Sequence, residues 1–489
     1  MSAVALFCVV LAYFALLLGV AWVTSRNASN DSFYIGNKSS NWRLVAFGMV
    51  GTTLSGVTFV SVPGAVGRDG FGYLQIVLGY VLGYLAVAYI LLPLYYRLKL
   101  TSIYHYLDLR LGRRSYQSGA ACFILSRTLG ATARLYLVVN ILQATLLDSL
   151  GVPFWLTSLV ILAMILCYTY QGGVKTIVWT DTLQTTGMLL GLLACVAWLL
   201  HAMDLSLPAS LAQMQQHGLV HVITTSLDSP VNFWKQVLAG IFIVIAMTGM
   251  DQEMMQKNIS VKTLGDAQKN MLALTAILVA VLSLFLYLGG LLHLYAPGAG
   301  VSASGDQLFA AVVMGHMPAL LQLLFFIALV SALFPSADGA ITALTSSVCI
   351  DLLGLQLRSD LDEAAKLRWR HRVHLAFCAL FLLLVMGFKW MDHPSMIGVI
   401  LKLASYTYGP LLGLFTFGLL THRSVQDRWV PLAVLAGPLL CYAIDQNQAL
   451  LFGSYRMGLE LLILNGLLVM GGLFLISSPQ AAKAVLTPA

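Results

Sequence analysis

GMVGTTLSGVTFVSVPG, residues 48–64, is an apolar stretch of membrane-spanning length that is poorly suited to an uninterrupted helix. Its glycines, its Ser and Thr hydroxyls and Pro63 favour a break, because glycine is conformationally free and proline removes a backbone donor. Unwinding near residues 51–56 would leave carbonyl oxygens without partners. Lipid cannot satisfy such oxygens, whereas a cation can. The stretch therefore predicts a broken membrane helix with free carbonyls at its centre.

A second interruption is predicted at residues 247–250 (MTGM), five helices later and next to Asp251 and Gln252. Two broken helices in corresponding positions of two five-helix halves are typical of the binding site in inverted-repeat transporters. Glycine and hydroxyl side chains also favour close packing between membrane helices, and this is the alternative interpretation of both stretches.

The composition of the whole chain places it in a membrane. The 489 residues are 59% hydrophobic and 10% charged, with a mean hydropathy of +0.85. Soluble domains carry about 25% charged residues. Apolar runs of about 20 residues, enough to cross the hydrocarbon core, recur along the sequence. They predict an all-α integral membrane protein of about thirteen spans, at 3–24, 44–66, 72–96, 118–147, 152–170, 177–202, 235–255, 268–296, 307–354, 372–390, 395–421, 428–446 and 456–476.

Two of these predicted spans are atypical. The ninth is too long for one crossing, so we expect an outer helix followed by a membrane helix that starts near Ala319. The first lacks the basic residues that precede the apolar core of a signal peptide, so it is interpreted as a membrane helix rather than a cleaved leader.

The distribution of the 27 Lys and Arg residues predicts the orientation. Odd-numbered connections and the C-terminus hold twenty of them, Lys257 included, and the opposite side holds four. By the positive-inside rule the N-terminus is outside and the C-terminus cytoplasmic. The net charge of +7 then reflects the orientation of the chain in the membrane rather than a surface that binds nucleic acid. Arg127, Arg134 and Lys402 remain inside spans, where buried charges mark functional sites.

Asp181 and Asp338 are the strongest intramembrane carboxylate candidates by the same criterion. Asp338 follows Pro335, which frees the Ser331 carbonyl in mid-membrane. Ser336 lies between them, so a carboxylate, a hydroxyl and a freed carbonyl meet in one stretch. Such oxygens suit a small hard cation. The alternative is a proton-carrying or structurally hydrogen-bonded Asp338.

Five stretches together resemble the sodium:solute symporters, a family with the LeuT-type fold. They are residues 51–64, GGVKTIVWTDTLQ at 172–184, MDQEMMQK at 250–257, 335–351 and YTYGPLLGLF at 406–415. The resemblance implies ten core helices in two inverted five-helix repeats, with one helix before them and two after. The implied divisions are an N-terminal helix and cytoplasmic loop (1–43), two repeats (44–202 and 235–421) and two C-terminal helices (422–489).

The resemblance also implies sodium sites. At the conserved site the ligands are the carbonyls of Gly51, Leu54 and Ala332 and the hydroxyl of Ser336. Many members have a second hydroxyl where this chain has Pro335.

Some members bind a second sodium through the aspartate that corresponds to Asp181 and through hydroxyls on the eighth core helix. Here Asp338 and Gly339 stand at the positions of those hydroxyls. The sodium stoichiometry therefore stays open.

The solute is expected between the broken spans and the third core helix. The candidate binding residues are Thr53, Thr58, Gln75, Arg127, Arg134 and Met247. Arg127 and Arg134 are seven residues apart and share a helix face, and a guanidinium binds carboxylate through two hydrogen bonds. A carboxylate-bearing solute is thus favoured: an amino acid, a monocarboxylate or an acidic sugar. Alternatively, one or both arginines cap carbonyls or pair with a buried acid such as Asp338.

The predicted function is sodium-coupled symport of a small organic solute by alternating access. A proton-coupled symporter of the same fold, with Asp338 or Asp181 as the carrier, is the first alternative, and a solute sensor or channel is the second. An intramembrane enzyme is not predicted, because the spans carry no metal-ligand constellation or nucleophile motif. The expected partners are the solute, sodium ions and the bilayer of a bacterial inner membrane, with no nucleic acid and no obligate protein partner.

Overall fold

The computed structural model of the chain describes residues 3–24, 33–34, 36–391 and 396–479, and most of these are helical. The N-terminal half contains α1 (Ala3–Thr24), α2 (Trp42–Thr53), α3 (Gly56–Asp69), α4 (Tyr73–Arg97), α5 (His105–Arg110), α6 (Arg113–Leu142), α7 (Phe154–Tyr170), α8 (Gly173–Ala202) and α9 (Leu207–Gln216). The C-terminal half contains α10 (Phe233–Val244), α11 (Gln252–Ile259), α12 (Leu264–Gly298), α13 (Leu308–His316), α14 (Ala319–Ser347), α15 (Glu363–Met391), α16 (Met396–Thr407), α17 (Gly409–Leu420), α18 (Val430–Gln446), α19 (Gln448–Phe452) and α20 (Leu461–Leu475). Strands β1 (Arg423–Val425) and β2 (Ser477–Pro479) pair antiparallel.

Three helix pairs are, taken together, long and apolar enough for one span each, and each pair is sharply bent. Helices α2 and α3 meet at 57°, and the seventh span, which runs from α10 through a π-helical turn at Ile245–Gly249 into α11, bends by 64°. These two breaks confirm the interruptions predicted in the second and seventh spans. A third bend of 43° separates α16 from α17. The sequence analysis did not predict it.

The all-α membrane architecture is confirmed. Within the described residues, seven helices are long and apolar enough to cross a membrane, and the three bent pairs raise this number to ten. Three shorter apolar helices, at Cys8–Thr24, Phe154–Tyr170 and Leu461–Leu475, coincide with the remaining predicted spans. The count of thirteen stays a prediction. The long ninth region divides as expected, into α13 and a helix that begins at Ala319.

The junction of α7 and α8 depends on one glycine. Gly173 adopts φ 57° and ψ −153° inside an otherwise continuous helical run. A β-carbon there would clash with the backbone of Phe33, so both the left-handed conformation and the close approach require glycine. The GG pair of the 172–184 stretch therefore turns the chain between two spans.

Helix α3 is fixed against α12, α13 and α14 by an aromatic cluster. The ring of Phe59 lies 5.3–5.8 Å from the rings of Phe285, Phe309 and Phe325, centroid to centroid. All four side chains are fully buried. The outer surface is apolar instead, with Leu383, for example, 69% exposed. This combination of a packed interior and an apolar surface suits a bundle solvated by lipid.

The predicted boundaries of the repeats and terminal segments stay predictions. Residues 1–2, 25–32 and 35 of the predicted 1–43 segment lie outside the described residues, as do 392–395 of the second repeat and the end of the 422–489 segment from residue 480. The two predicted repeats each begin with one of the bent pairs, α2–α3 and α10–α11.

Candidate functional site

The break between α2 and α3 exposes backbone oxygens in the interior of the bundle. Leu54 caps the C-terminus of α2 and donates its N–H to the Val50 carbonyl at 2.8 Å, and Ser55 then turns to φ −47° and ψ 168°. The carbonyls of the last turn of a helix have no N–H partner within that helix. The C-terminal end of α2 also carries the negative end of the helix dipole. The break can therefore attract a cation.

Helix α14 lies directly against this break. A β-carbon added to Gly56 would be 3.7 Å from the Ala332 carbonyl oxygen, and one added to Gly51 would be 3.7 Å from Pro335 Cγ. Ser336 is 2% exposed, and its hydroxyl has no hydrogen-bond partner among the described residues. An orphaned buried hydroxyl costs free energy unless a ligand binds it. The structure thus brings the segments that carry Gly51, Leu54, Ala332 and Ser336 together.

A central cavity lies beside the break. Five of the six predicted solute residues line it, and they come from α3, α6 and both breaks: Thr53, Thr58, Arg127, Arg134 and Met247. Three tyrosines of α4 that the sequence analysis did not single out also line it, namely Tyr73, Tyr80 and Tyr84. The cavity therefore combines hydroxyls, aromatic rings and guanidinium groups, which suits a small polar solute with an apolar part.

Gln75 is not among the residues that line the central cavity. It lies in an adjacent cavity that shares Tyr73 and Leu401 with the central one. Its amide oxygen accepts the Thr224 N–H at 3.1 Å, and its amide nitrogen donates to the Val231 carbonyl at 3.3 Å. These bonds tie α4 to the connection before α10, so the side chain is engaged by backbone.

The two arginines of α6 have different surroundings. Arg127 contacts Glu253 directly and lies 3.8 Å from Asp251, so its charge is balanced by α11 and the residue that caps it. Asp251 also accepts the Tyr408 hydroxyl at 2.6 Å and caps α11 through the Met254 N–H. The predicted alternative of a buried acid thus applies to Arg127, although its partners differ from the suggested Asp338.

Arg134 lacks such a partner. Among the described residues no carboxylate lies within ion-pair distance of its guanidinium, which lines the central cavity. A guanidinium in a low-dielectric cavity is costly without an anion nearby. Arg134 is therefore the residue of the cavity best placed to receive an anionic group.

The position of Lys257 corrects one assignment. The charge count placed it in a cytoplasmic connection, but it is 2% exposed and donates to Asp181 at 2.6 Å and to Thr52 at 2.7 Å. The error arose because α11 continues the seventh span beyond its break and is buried on every side. Without Lys257, nineteen basic residues remain on the predicted cytoplasmic side, so the asymmetry persists.

Asp338 belongs to a different face of α14 from Ser336. Its carboxylate accepts the Tyr168 hydroxyl of α7 at 2.7 Å and a hydrogen bond from the Gly339 N–H. Residues two apart on a helix point in different directions, so the pair predicted as neighbours faces two separate environments. Lys402 lies away from the central cavity and pairs with Asp445 at 2.8 Å.

Sequence reasoning missed three members of the buried network: Asp251 as a helix cap, Glu253 and Lys257. All eight residues of α11 are buried. One signal could have revealed them, because Glu253 and Lys257 are four apart and follow directly after a predicted break. Continuing the seventh span through residue 259 would have placed both charges inside the protein.

Comparison with known proteins shows which family the chain resembles. A model of the sodium:solute symporter family matches residues 33–427. The sodium-dependent multivitamin transporter of Oryctolagus cuniculus is 29% identical over 395 residues, which are 77% of this chain and 59% of that protein. The sodium-coupled monocarboxylate transporter 1 of Mus musculus is 26% identical over 425 residues, covering 80% and 64%. The chain therefore spans less than two thirds of the length of these relatives.

A solved structure agrees over nearly the whole chain. The substrate-bound, outward-open structure of a Na⁺-coupled sialic acid symporter covers 97% of this chain and 99% of its own, with a TM-score of 0.83 and 17% identity. At this identity the likeness shows the fold alone, and it confirms the predicted LeuT-type architecture.

Proposed function

Because the chain belongs to the sodium:solute symporter family, whose members are sodium-dependent transporters and not enzymes, we propose that it imports a small carboxylate-bearing solute together with sodium. The observation that carries the choice of solute is the Arg134 guanidinium, which faces the central cavity and has no carboxylate partner among the described residues. Sodium is proposed as the coupling ion because the family is sodium-dependent.

The proposed sodium ligands are the carbonyls of Gly51, Leu54 and Ala332 and the hydroxyl of Ser336. The apposition of the α2–α3 break and α14 supports this assignment, as does the lack of a hydrogen-bond partner for the Ser336 hydroxyl. Sodium is a hard cation that prefers oxygen ligands of this kind. A bound sodium would join α14 to the broken span and order the adjacent wall of the cavity.

The proposed solute position is the central cavity, with the carboxylate at Arg134. A guanidinium offers two parallel hydrogen bonds to a carboxylate, and the positive end of the α3 dipole at Gly56 faces the same break. The hydroxyls of Thr53 and Thr58 provide further polar contacts. A relative named as a sodium-coupled monocarboxylate transporter is 26% identical over 80% of this chain, which agrees with this choice. The solute itself is proposed as an amino acid, a monocarboxylate or an acidic sugar.

The proposed mechanism is alternating access. Sodium and solute each stabilise the α2–α3 break and the cavity beside it, so the binding of one strengthens the binding of the other by the same factor. Each positive charge that moves inward gains about 2.3 kcal/mol per 100 mV of membrane potential, which drives accumulation against a gradient. We also propose a bacterial inner membrane as the location, with the N-terminus outside and the C-terminus cytoplasmic, as the charge asymmetry supports.

Reconstituted transport tests the proposal. Purified protein in proteoliposomes is screened for uptake of radiolabelled amino acids, monocarboxylates and acidic sugars, each beside its neutral amide, with inward sodium, proton or no gradient. We expect uptake of a carboxylate that requires the sodium gradient and is lost for its amide. Uptake that follows only the proton gradient would instead support the proton-coupled alternative, and facilitated flux without coupling would support a channel.

A variant pair tests the role of the arginine. Arg134→Met should reduce affinity for the transported carboxylate by roughly 10–100-fold, which corresponds to about 1.5–3 kcal/mol for a hydrogen bond to a charged group. Lys402→Met removes a charge that lies outside the cavity and serves as the matched control. Equal effects of the two variants would contradict the assignment of the carboxylate to Arg134.

A further inference from the structure

The Lys257 ammonium is surrounded by oxygens from three separate parts of the fold. Its Nζ lies 2.6 Å from Asp181 Oδ2 on α8, 2.7 Å from Thr52 Oγ1 on α2 and 3.8 Å from Glu253 Oε1 on its own helix. Lys257, Asp181 and Glu253 are each at most 2% exposed and Thr52 is 5% exposed. The ammonium is thus enclosed by two carboxylates and a hydroxyl in the interior of a membrane protein.

This oxygen set is one that a sodium ion would accept. Carboxylate and hydroxyl oxygens from different helices are typical ligands of hard cations. The second sodium site that the family resemblance implied, at Asp181, lies here. The place of the ion is taken by the lysine side chain, so the residues present do not fit a second sodium.

We propose that Lys257 is a tethered cation that substitutes for a second transported sodium at Asp181, so that the protein couples its solute to a single sodium. This inference rests on the proposed sodium-coupled symport. An ammonium bound to Asp181 and Thr52 supplies the positive charge that stabilises the buried carboxylate. A sodium ion at the same oxygens would lie beside a like charge, which disfavours its binding. Because the ammonium is attached to α11, it remains with the protein through the transport cycle.

Removal of the lysine should therefore create a cation site. Lys257→Met keeps a long side chain but leaves Asp181, Thr52 and Glu253 without the ammonium. The oxygens of α2 and α8 remain close together around this position, because Gly48 lets the two helices approach: a β-carbon there would be 3.1 Å from Asp181 Cβ. Adding Asp181→Asn removes the carboxylate charge and should abolish the new site.

Equilibrium binding of ²²Na⁺ to the purified full-length chain in detergent counts the sites directly. We expect one sodium per chain in the wild type, two in Lys257→Met and one in the Lys257→Met/Asp181→Asn double variant. Ser336→Ala should lose the wild-type sodium. Lys269→Met is the matched control, because this exposed lysine pairs with Asp266 on the protein surface, and it should bind one sodium.

Thermal unfolding shows whether the Lys257→Met variant is folded and whether it binds sodium. In choline chloride, Lys257→Met should unfold at a lower temperature than the wild type, because Asp181 is left unpaired. Sodium should raise its unfolding temperature more than it raises that of the wild type, and the double variant should lose this extra response. A sodium response of Lys257→Met no larger than that of the wild type would overturn the inference.

The number of sodium ions that the wild type binds distinguishes a failure of the tethered-cation proposal from a failure of the proposed sodium site. Two sodium ions in the wild type, one of them lost in Asp181→Asn, would overturn the tethered cation but leave sodium-coupled symport intact. No sodium in the wild type and one in Lys257→Met would support the role of Lys257 and overturn the proposed sodium site at Ser336.

Discussion

Removal of the Arg127 guanidinium should destabilise the protein more than removal of Arg127 and Glu253 together. Both side chains are at most 5% exposed, and the guanidinium contacts Glu253 directly. Arg127→Met would remove the cation in direct contact with that carboxylate and leave only the Lys257 ammonium, 3.8 Å away, which costs up to about 3–5 kcal/mol. Arg127→Met/Glu253→Gln removes both charges, and its expected cost is smaller because neither group is left unpaired. Asp251 keeps its Tyr408 partner in every variant.

Equilibrium unfolding by SDS in mixed micelles provides the measurement, as a double-mutant cycle of Arg127→Met, Glu253→Gln and the pair. The exposed pair Arg358–Asp360, at 2.7 Å and more than half exposed on each side, is the control cycle within the same chain. Its expected coupling is about 0–1 kcal/mol. Free energies of the two single variants that simply add up to that of the double variant would refute the reasoning.

Three further predictions follow from single contacts. Gly51→Ala should weaken sodium binding, because the alanine β-carbon would clash with Thr185 Oγ1 and such overpacking costs about 1–3 kcal/mol. Adding Thr185→Ala to the same chain should restore part of the ²²Na⁺ affinity. If the double variant recovers no affinity, the clash is not the cause. Gln75→Leu should lower the unfolding temperature, because its hydrogen bonds to Thr224 and Val231 are lost, while the KM for the solute stays unchanged. A raised KM would indicate instead that Gln75 binds the solute. Lys402→Met should cost about 1–3 kcal/mol, because it leaves the Asp445 carboxylate, 3% exposed, without its cation while the hydrogen bonds from Tyr406 and Gln448 remain; a loss of stability near zero in SDS unfolding would count against this.

The breaks in the helices could be predicted because their cause is local. Glycines, hydroxyls and prolines within residues 48–64 and 247–250 disfavour a continuous helix, and the chain bends at Leu54–Ser55 and at Met250–Asp251. Three residues that line the central cavity, Thr53, Thr58 and Met247, could be predicted for the same reason, since they lie at or near these breaks. Arg127 and Arg134 were found because a charge in an apolar span is conspicuous by itself.

The partners of the buried charges could not be predicted. Arg127 and Glu253 are 126 positions apart, and Lys257 and Asp181 are 76 apart. Which charges meet depends on how α6, α8 and α11 pack, and this is not encoded in the spacing of one segment. Gln75 was assigned to the solute for the opposite reason: its polarity was visible, but the backbone groups of the connection before α10 that satisfy it were not.

The hydrogen bond between Tyr408 and Asp251 joins the two points at which spans bend. Tyr408 stands between α16 and α17, where the chain turns by 43°, and Asp251 stands at the start of α11, where it turns by 64°. Neither half-helix can swing alone without stretching the 2.6 Å contact or carrying the other along. The two bends are therefore mechanically coupled, and the Tyr408 phenol is one of the contacts that join the seventh span to the eleventh.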